Sequence, residues 1–380
     1  MDSLHLDDDN IASIAEALHR NKHRVEFLSL NISLVTTQQA PGLELLLRFV
    51  QASHSLRDFR LLGSDNRALR SVVKRFLQAI HKNEHLERLS LHNVGLEADS
   101  FARLVRHTQT LSHLCLAGCS VTDGKNNPHY MAKIGDAFNV NRSIETLRLV
   151  ALEQSFLNTI LGPIKSHRQL RRLDVAYGSV ASAEAIGEVV GSTLTPVLKT
   201  IVLRDSSLLS LESIARSMTS NSKIAKFEIH NCDLDSVSAA LLRALFRSKQ
   251  HSIEEVSLCD LDVEDESNLE DVFDGLGRGS TVSHLRIHHV DLQKEGLSAL
   301  VRMLMCNKRL SHVNLDRKIL SAIAHDKNTN SSTEFANKST TRYASDDAST
   351  KLVFSRRTGM AELQRINNST IAKAKASLTI

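Results

Sequence analysis

The spacing Leu-x-x-Leu-x-Leu returns about once every 28 residues through the first 320 residues. It is clearest at Leu86-Leu89-Leu91, Leu111-Leu114-Leu116, Leu170-Leu173-Val175 and Leu198-Ile201-Leu203. With the first apolar residue of each occurrence as offset 0, the repeats start at Met1, Val25, Leu56, Leu86, Leu111, Ile144, Leu170, Leu198, Ile224, Ile253, Val282 and Leu310, spaced by 24 to 33 residues. Offsets 2 to 6 alternate polar and apolar, the period of a strand with one buried face, so each repeat is predicted to open with a short strand. Offset 8 is expected to turn inward and be small or polar, as at Cys119, Cys232, Ser206 and Gly178; Val94, Leu152 and Val290 depart from that rule. Apolar residues three and four apart follow, as in Val72-Val73-Phe76-Leu77-Ile80 and Leu297-Leu300-Val301-Leu304, and predict a helix. Helices this short depend on packing against the strand layer. Asn83, Asn141, Asn221 and Asn307 stand three residues before the next repeat, where an asparagine in the left-handed conformation would close the helix.

A strand–turn–helix unit of this length cannot bury its apolar face alone, so successive units are expected to stack as a solenoid. The units resemble leucine-rich repeats of the ribonuclease-inhibitor-like subclass. Leu292-Gln-Lys-Glu-Gly-Leu-Ser-Ala-Leu-Val-Arg-Met-Leu-Met-Cys-Asn-Lys-Arg-Leu310 is the strongest match, and the likeness covers roughly residues 1–320. That resemblance implies an α/β horseshoe of about 11–12 repeats, with a parallel sheet on the concave face and helices on the convex face. The insert from Asp123 to Tyr130 lengthens one unit and is expected to protrude as a loop. The register reaches Met1-Leu4-Leu6, so the N-terminal edge is expected to be covered by Asp7-Asp8-Asp9, by a partner or by preceding sequence. Lys318 at offset 8 marks the final unit as a cap.

The expected organisation is a solenoid over 1–322, a disordered Ser/Thr/Asn/Asp-rich linker over 323–350, and a basic tail over 351–380, read as a frayed end in preference to the alternative of a short basic amphipathic helix from Met360 to Leu378. The formal charge of +4 lies in the tail, where residues 321–380 carry nine Lys/Arg and five Asp/Glu, leaving 38 of each in the repeats. A neutral repeat body argues against nucleic acid, which needs a concentrated basic stripe. Aromatic content is 4% without tryptophan, so aliphatic side chains must build the core. No run of apolar residues is long enough to span a membrane, and the acidic N-terminus is not a secretory signal. Five cysteines at irregular spacing form no disulfide framework, which points to the cytoplasm or the nucleus.

No catalytic or phosphate-loop motif and no zinc-type cysteine pair is present, so the expectation is a non-catalytic protein without a cofactor. Cys115 faces outward and Cys119 inward, which keeps them from sharing a metal. Offsets 2, 4 and 6 face outward and form ladders across adjacent strands ~4.8 Å apart. The candidate contacts to a protein partner on the concave face are Arg60, Arg88, His113, Arg148, Arg172, Arg204, Lys226, Glu228, Glu255, His284, Arg286 and His312. His284 and His312 share an offset, with His288 and His289 nearby. A metal site or a pH-sensitive patch there is weighed against four ordinary exposed histidines, and the second reading is preferred. Two other functions share the repeat subclass. One is GTPase activation like that of the Ran-GTPase-activating proteins, which carry an acidic tail where this one is basic. The other is the sensor repeat region of an immune nucleotide-binding receptor.

Overall fold

The computed structural model describes residues 8–34, 41–64, 66–121, 128–176, 180–192, 197–207, 211–220, 223–248, 252–277 and 279–325. Residues 1–7 (the strand positions of the Met1 repeat), Gly178, Asn221, the side chain of Ser206, residues 123–127 of the insert, and the linker and tail from residue 326 lie outside the described residues, while the helix of the Met1 repeat is Asp8–Arg20. The chain divides into two compact units, Met1–Tyr177 with Glu188–Leu198, and Gly178–Gly187 with Lys199–Ile380.

In the first unit, strands β1 (Phe27–Asn31), β2 (Asp58–Leu62), β3 (Arg88–His92), β4 (His113–Ala117), β5 (Thr146–Val150) and β6 (Arg172–Ala176) pair in parallel, each with the next. In the second, β7 (Thr200–Ser207), β8 (Lys226–Leu234), β9 (Glu255–Cys259), β10 (His284–His288) and β11 (His312–Leu315) do the same. Each of these eleven strands begins at offset 2 of its repeat, as the alternation predicts, and short two-residue strands at Gly95–Leu96, Ser120–Val121 and Asp262–Val263 follow the turn in three repeats. Helices follow the strands, among them Arg70–His81, Ala98–His107 and Lys294–Cys306. Each unit is thus an α/β solenoid stretch of the leucine-rich-repeat kind.

Equal offsets pair across strands, because a one-residue slip would turn every leucine outward. Leu61, Leu91, Leu116 and Leu149 are fully buried at offset 5. Phenylalanines on the helices fill the space behind them: Phe76 lies 5.8 Å from Phe59, and Phe101 lies 6.3 Å from both Phe138 and Phe156. Strand entry is fixed by backbone bonding. The N–H groups at offsets 1 and 2 both donate to the offset-1 carbonyl of the preceding repeat, as Arg57 and Asp58 do to Glu26, and Ser283 and His284 to Glu254.

The bend at offset 7, which ends most strands and interrupts the pairing of β7 with β8, rests on a device absent from the sequence expectation. Offset 7 is left-handed in seven repeats, at Asn93, Gly118, Ala151, Asp205, Asn231, Asp260 and His289, with φ between 48° and 61°. There the N–H still reaches the offset-6 carbonyl of the next strand, as Asn93 does to Ala117 (2.8 Å) and Gly118 to Val150 (2.9 Å), while the chain bends away. The turn therefore depends on offset 7 rather than on a small residue at offset 8, which explains why Val94 and Val290 are accepted there and buried. Asparagine, aspartate and glycine enter this conformation cheaply, whereas alanine does not. Ala151→Gly should therefore raise stability by roughly 1 kcal/mol and Ala151→Val lower it. The check is the urea midpoint of each variant, and a midpoint unmoved in both would contradict the assignment.

The helix-closing asparagines also work differently from expectation. None of Asn83, Asn141 and Asn307 is left-handed. Each is buried and bridges two repeats through its side chain. The Asn83 amide donates to the carbonyls of Val50 (2.6 Å) and Ser53 (3.0 Å), and its oxygen accepts from the N–H groups of His85 (2.8 Å) and Leu86 (3.0 Å). Asn141 joins Val105 to Ser143 and Ile144, and Asn307 joins Leu276 to Arg309 and Leu310. The insert is corrected too: Pro128, His129 and Tyr130 form the first turn of the helix Pro128–Val140 and are not loop. Proline suits that position because its missing N–H would have no partner there.

Candidate functional site

The outward columns of the strands in each unit carry all twelve candidate residues. In the first unit, offset 2 reads Phe27, Asp58, Arg88, His113, Thr146 and Arg172. Offset 4 reads Ser29, Arg60, Ser90, Cys115, Arg148 and Asp174. Arg88 Nε reaches Asp58 Oδ2 at 3.0 Å, and Arg148 Nε lies 3.9 Å from the buried Asp174 carboxylate. Arg60 forms no ion pair with a described residue; its guanidinium stands 5.7 Å from the centroid of the Phe27 ring. Phe27 is 52% exposed, a large apolar side chain in an otherwise polar column. His113 Nδ1 bonds to Ser112 Oγ at 2.8 Å. Burial, then Arg60 and Arg148, push the His92 ring below its ordinary value. The Cys115 thiol is raised by burial, with Arg148 and Arg60 pulling the other way.

The second unit is balanced rather than basic. Lys226 Nζ lies 3.3 Å from both Glu228 and Glu255, and His230 Nε2 lies 3.1 Å from Glu228 Oε2. Hydrogen bonding to Cys259, then to Glu228, pushes His230 up to about 9, so it is a cation near neutral pH. Ser257 Oγ stands 3.3 Å from Cys259 Sγ, and both residues are buried. Sequence reasoning placed Glu228 on an open binding face, but it is buried beneath these partners and holds Lys226 and His230 in place. Cys259 and Phe27 were missed, although both share offsets with residues that were singled out. Arg172, Arg204, Lys226, Glu255 and His284 are half-buried on the face, while Arg286 and His312 are exposed.

The histidine group does not converge. His284 and His312 stack with ring centroids 4.4 Å apart and planes 5° from parallel, each with Nδ1 on its neighbouring serine. His288 Nε2 bonds to Asn314 Oδ1 (3.0 Å), and His289 Nδ1 to Asp260 Oδ1 (2.9 Å). Among the described residues no group of three His, Cys, Asp or Glu side chains is placed to hold a metal ion. Cys119 is buried, with Sγ 3.2 Å from the Leu91 carbonyl oxygen, whereas Cys115 lies on the sheet face.

On the helix side, a cavity of about 430 Å³ in the second unit has Phe273, Met303 and Cys306 in its lining. Its charged groups pair with one another: Arg243 with Asp271 and Asp274 (2.7 Å each), and Arg247 with Asp274 (2.6 Å). Among the described residues no helix is long and apolar enough to cross a membrane.

The fold and its face define a repeat protein with a parallel-sheet surface. No family model matches the sequence, and no curated protein matches it. Among solved structures, the chain is similar to one described as the crystal structure of the Rad7 and Elc1 complex in yeast. Identity is 13% and the TM-score 0.45, over 83% of this chain and 80% of that one.

Proposed function

We propose that the chain is a non-catalytic protein-interaction scaffold or adaptor, of the ribonuclease-inhibitor-like leucine-rich-repeat subclass, that binds a protein partner on its sheet face. One observation carries this reading: β2, β3 and β5 of the first unit and β10 of the second leave Arg60, Arg88, Arg148 and Arg286 exposed on their sheet faces, while the charges around the helix-side cavity pair with each other. Pairs on the sheet face cost little to rearrange, since an exposed ion pair such as Arg88–Asp58 contributes about 0–1 kcal/mol. A partner that offers carboxylates can therefore take over these guanidiniums. Scattered cations without a continuous basic stripe fit a protein better than nucleic acid. The same reading places the protein in the cytoplasm or nucleus, without a cofactor.

The test is affinity capture from native lysate with the full chain. Arg148→Glu combined with Arg172→Glu should abolish capture of the partner and leave the circular dichroism unchanged. Arg302→Glu on the helix Lys294–Cys306 should leave capture intact. Undiminished capture by the double variant refutes the reading.

A further inference from the structure

The first unit has a basic notch in its central column. Arg60 and Arg148 occupy offset 4 on β2 and β5, and between them the same column holds only Ser90 and Cys115, both small and half-buried. The gap spans three strand spacings, about 14 Å at the backbone. Arg88, His92 and His113 stand around it at offsets 2 and 6 of the two intervening strands. Both guanidiniums act electrostatically on His92 and on Cys115, so their fields converge over the two-residue floor. Asp58 and Asp174 lie at the outer flanks and partner Arg88 and Arg148, and Glu145 and Glu87 act on His113 at the offset-2 side.

We propose that this notch binds the phosphate dianion of a phosphorylated side chain on an extended segment of the partner protein. The inference rests on the interaction reading given above and specifies its ligand. Guanidiniums are the planar donors that suit a phosphate; Arg60 now stands over Phe27 and Arg148 towards Asp174, so both turn inward over the serine floor to hold it. The flanking Asp58 and Asp174 tolerate one compact dianion but repel a polyanion that continues across the sheet, which sets a phosphopeptide above RNA. Phe27, exposed beside Arg60, offers an apolar contact for a side chain next to the phosphorylated residue.

The experiment presents the full chain with an array of phosphoserine, phosphothreonine and phosphotyrosine peptides, their unphosphorylated counterparts and a single-stranded RNA. The expected result is binding at least about tenfold stronger to phosphorylated members, the effect of one charge-assisted contact of ~1.4 kcal/mol. Arg60→Gln and Arg148→Gln should each remove that preference, and Arg302→Gln on the helix Lys294–Cys306 should keep it. The best peptide should also raise the pH midpoint of the His92 ring in an NMR titration, because a dianion between the guanidiniums cancels their repulsion. Equal binding to both peptide forms, preference for RNA, or an unmoved His92 overturns the proposal. Phosphatase treatment of the lysate separates it from the broader reading. Capture that survives phosphatase yet fails in the Arg148→Glu, Arg172→Glu variant leaves the scaffold standing and removes the notch. Capture indifferent to both removes the two together.

Discussion

Asn83→Ala is expected to destabilise the first unit by about 3–5 kcal/mol, far more than deletion of one surface side chain. The substitution strands the carbonyls of Val50 and Ser53 and the N–H groups of His85 and Leu86, four groups now satisfied by one side chain. Each buried polar group left without a partner costs about 1–3 kcal/mol. Exposed Asn21, whose amide bonds to Ala17 within the same helical segment, provides the control, and its alanine variant should shift stability by no more than about 0.5 kcal/mol. Urea denaturation of the two variants makes the comparison. If Asn83→Ala costs no more than Asn21→Ala, the bridge is not what joins the repeats.

Acid should weaken the same unit through His167. This residue takes the bridging position of its repeat in place of asparagine and is 1% exposed. Its Nδ1 accepts from the Gln169 N–H at 3.3 Å, reproducing one of the two bonds an asparagine oxygen receives, while Nε2 has no partner among the described residues. Burial, and then Arg142, push the ring down from 6.5 to about 4. The folded value is depressed, so the contribution is complete above pH 6.5, where both states are neutral. It falls as the unfolded chain takes up a proton first, and it is lost once pH passes below about 4. The integrated loss is roughly 3 kcal/mol. His167→Asn should flatten stability between pH 6.5 and 4 and supply the missing donor. A pH profile identical in wild type and variant would show that His167 does not set it.

The strands were legible because period-two alternation around leucine admits one register; β1 to β11 all begin where Val25, Leu56 and the later repeat starts place them. Offset 7 was overlooked although Asn93, Gly118, Asp205, Asn231 and Asp260 are types that enter the left-handed region readily, because Ala151 and His289 hold the same conformation without belonging to that set. The asparagines were visible as a spacing, but their role lies in reaching the preceding helix, about 31 to 36 residues back, which local sequence does not display. On the candidate face, the ladder positions of Arg60 and Arg148 followed from the repeat. The basic notch between them needed the neighbours' sizes, and the burial of Glu228 needed His230 and Lys226 in three dimensions.

The central claim is that the sheet face, and not the helix face, receives the partner. Photo-crosslinking side chains placed singly at Ser90 and Arg286 on the sheets, and at Arg75 and Arg302 on the helices, test it directly in the native cell. The account predicts adducts to one common partner from the two sheet positions and none to that partner from the helix positions. Adducts confined to Arg75 or Arg302 would contradict it.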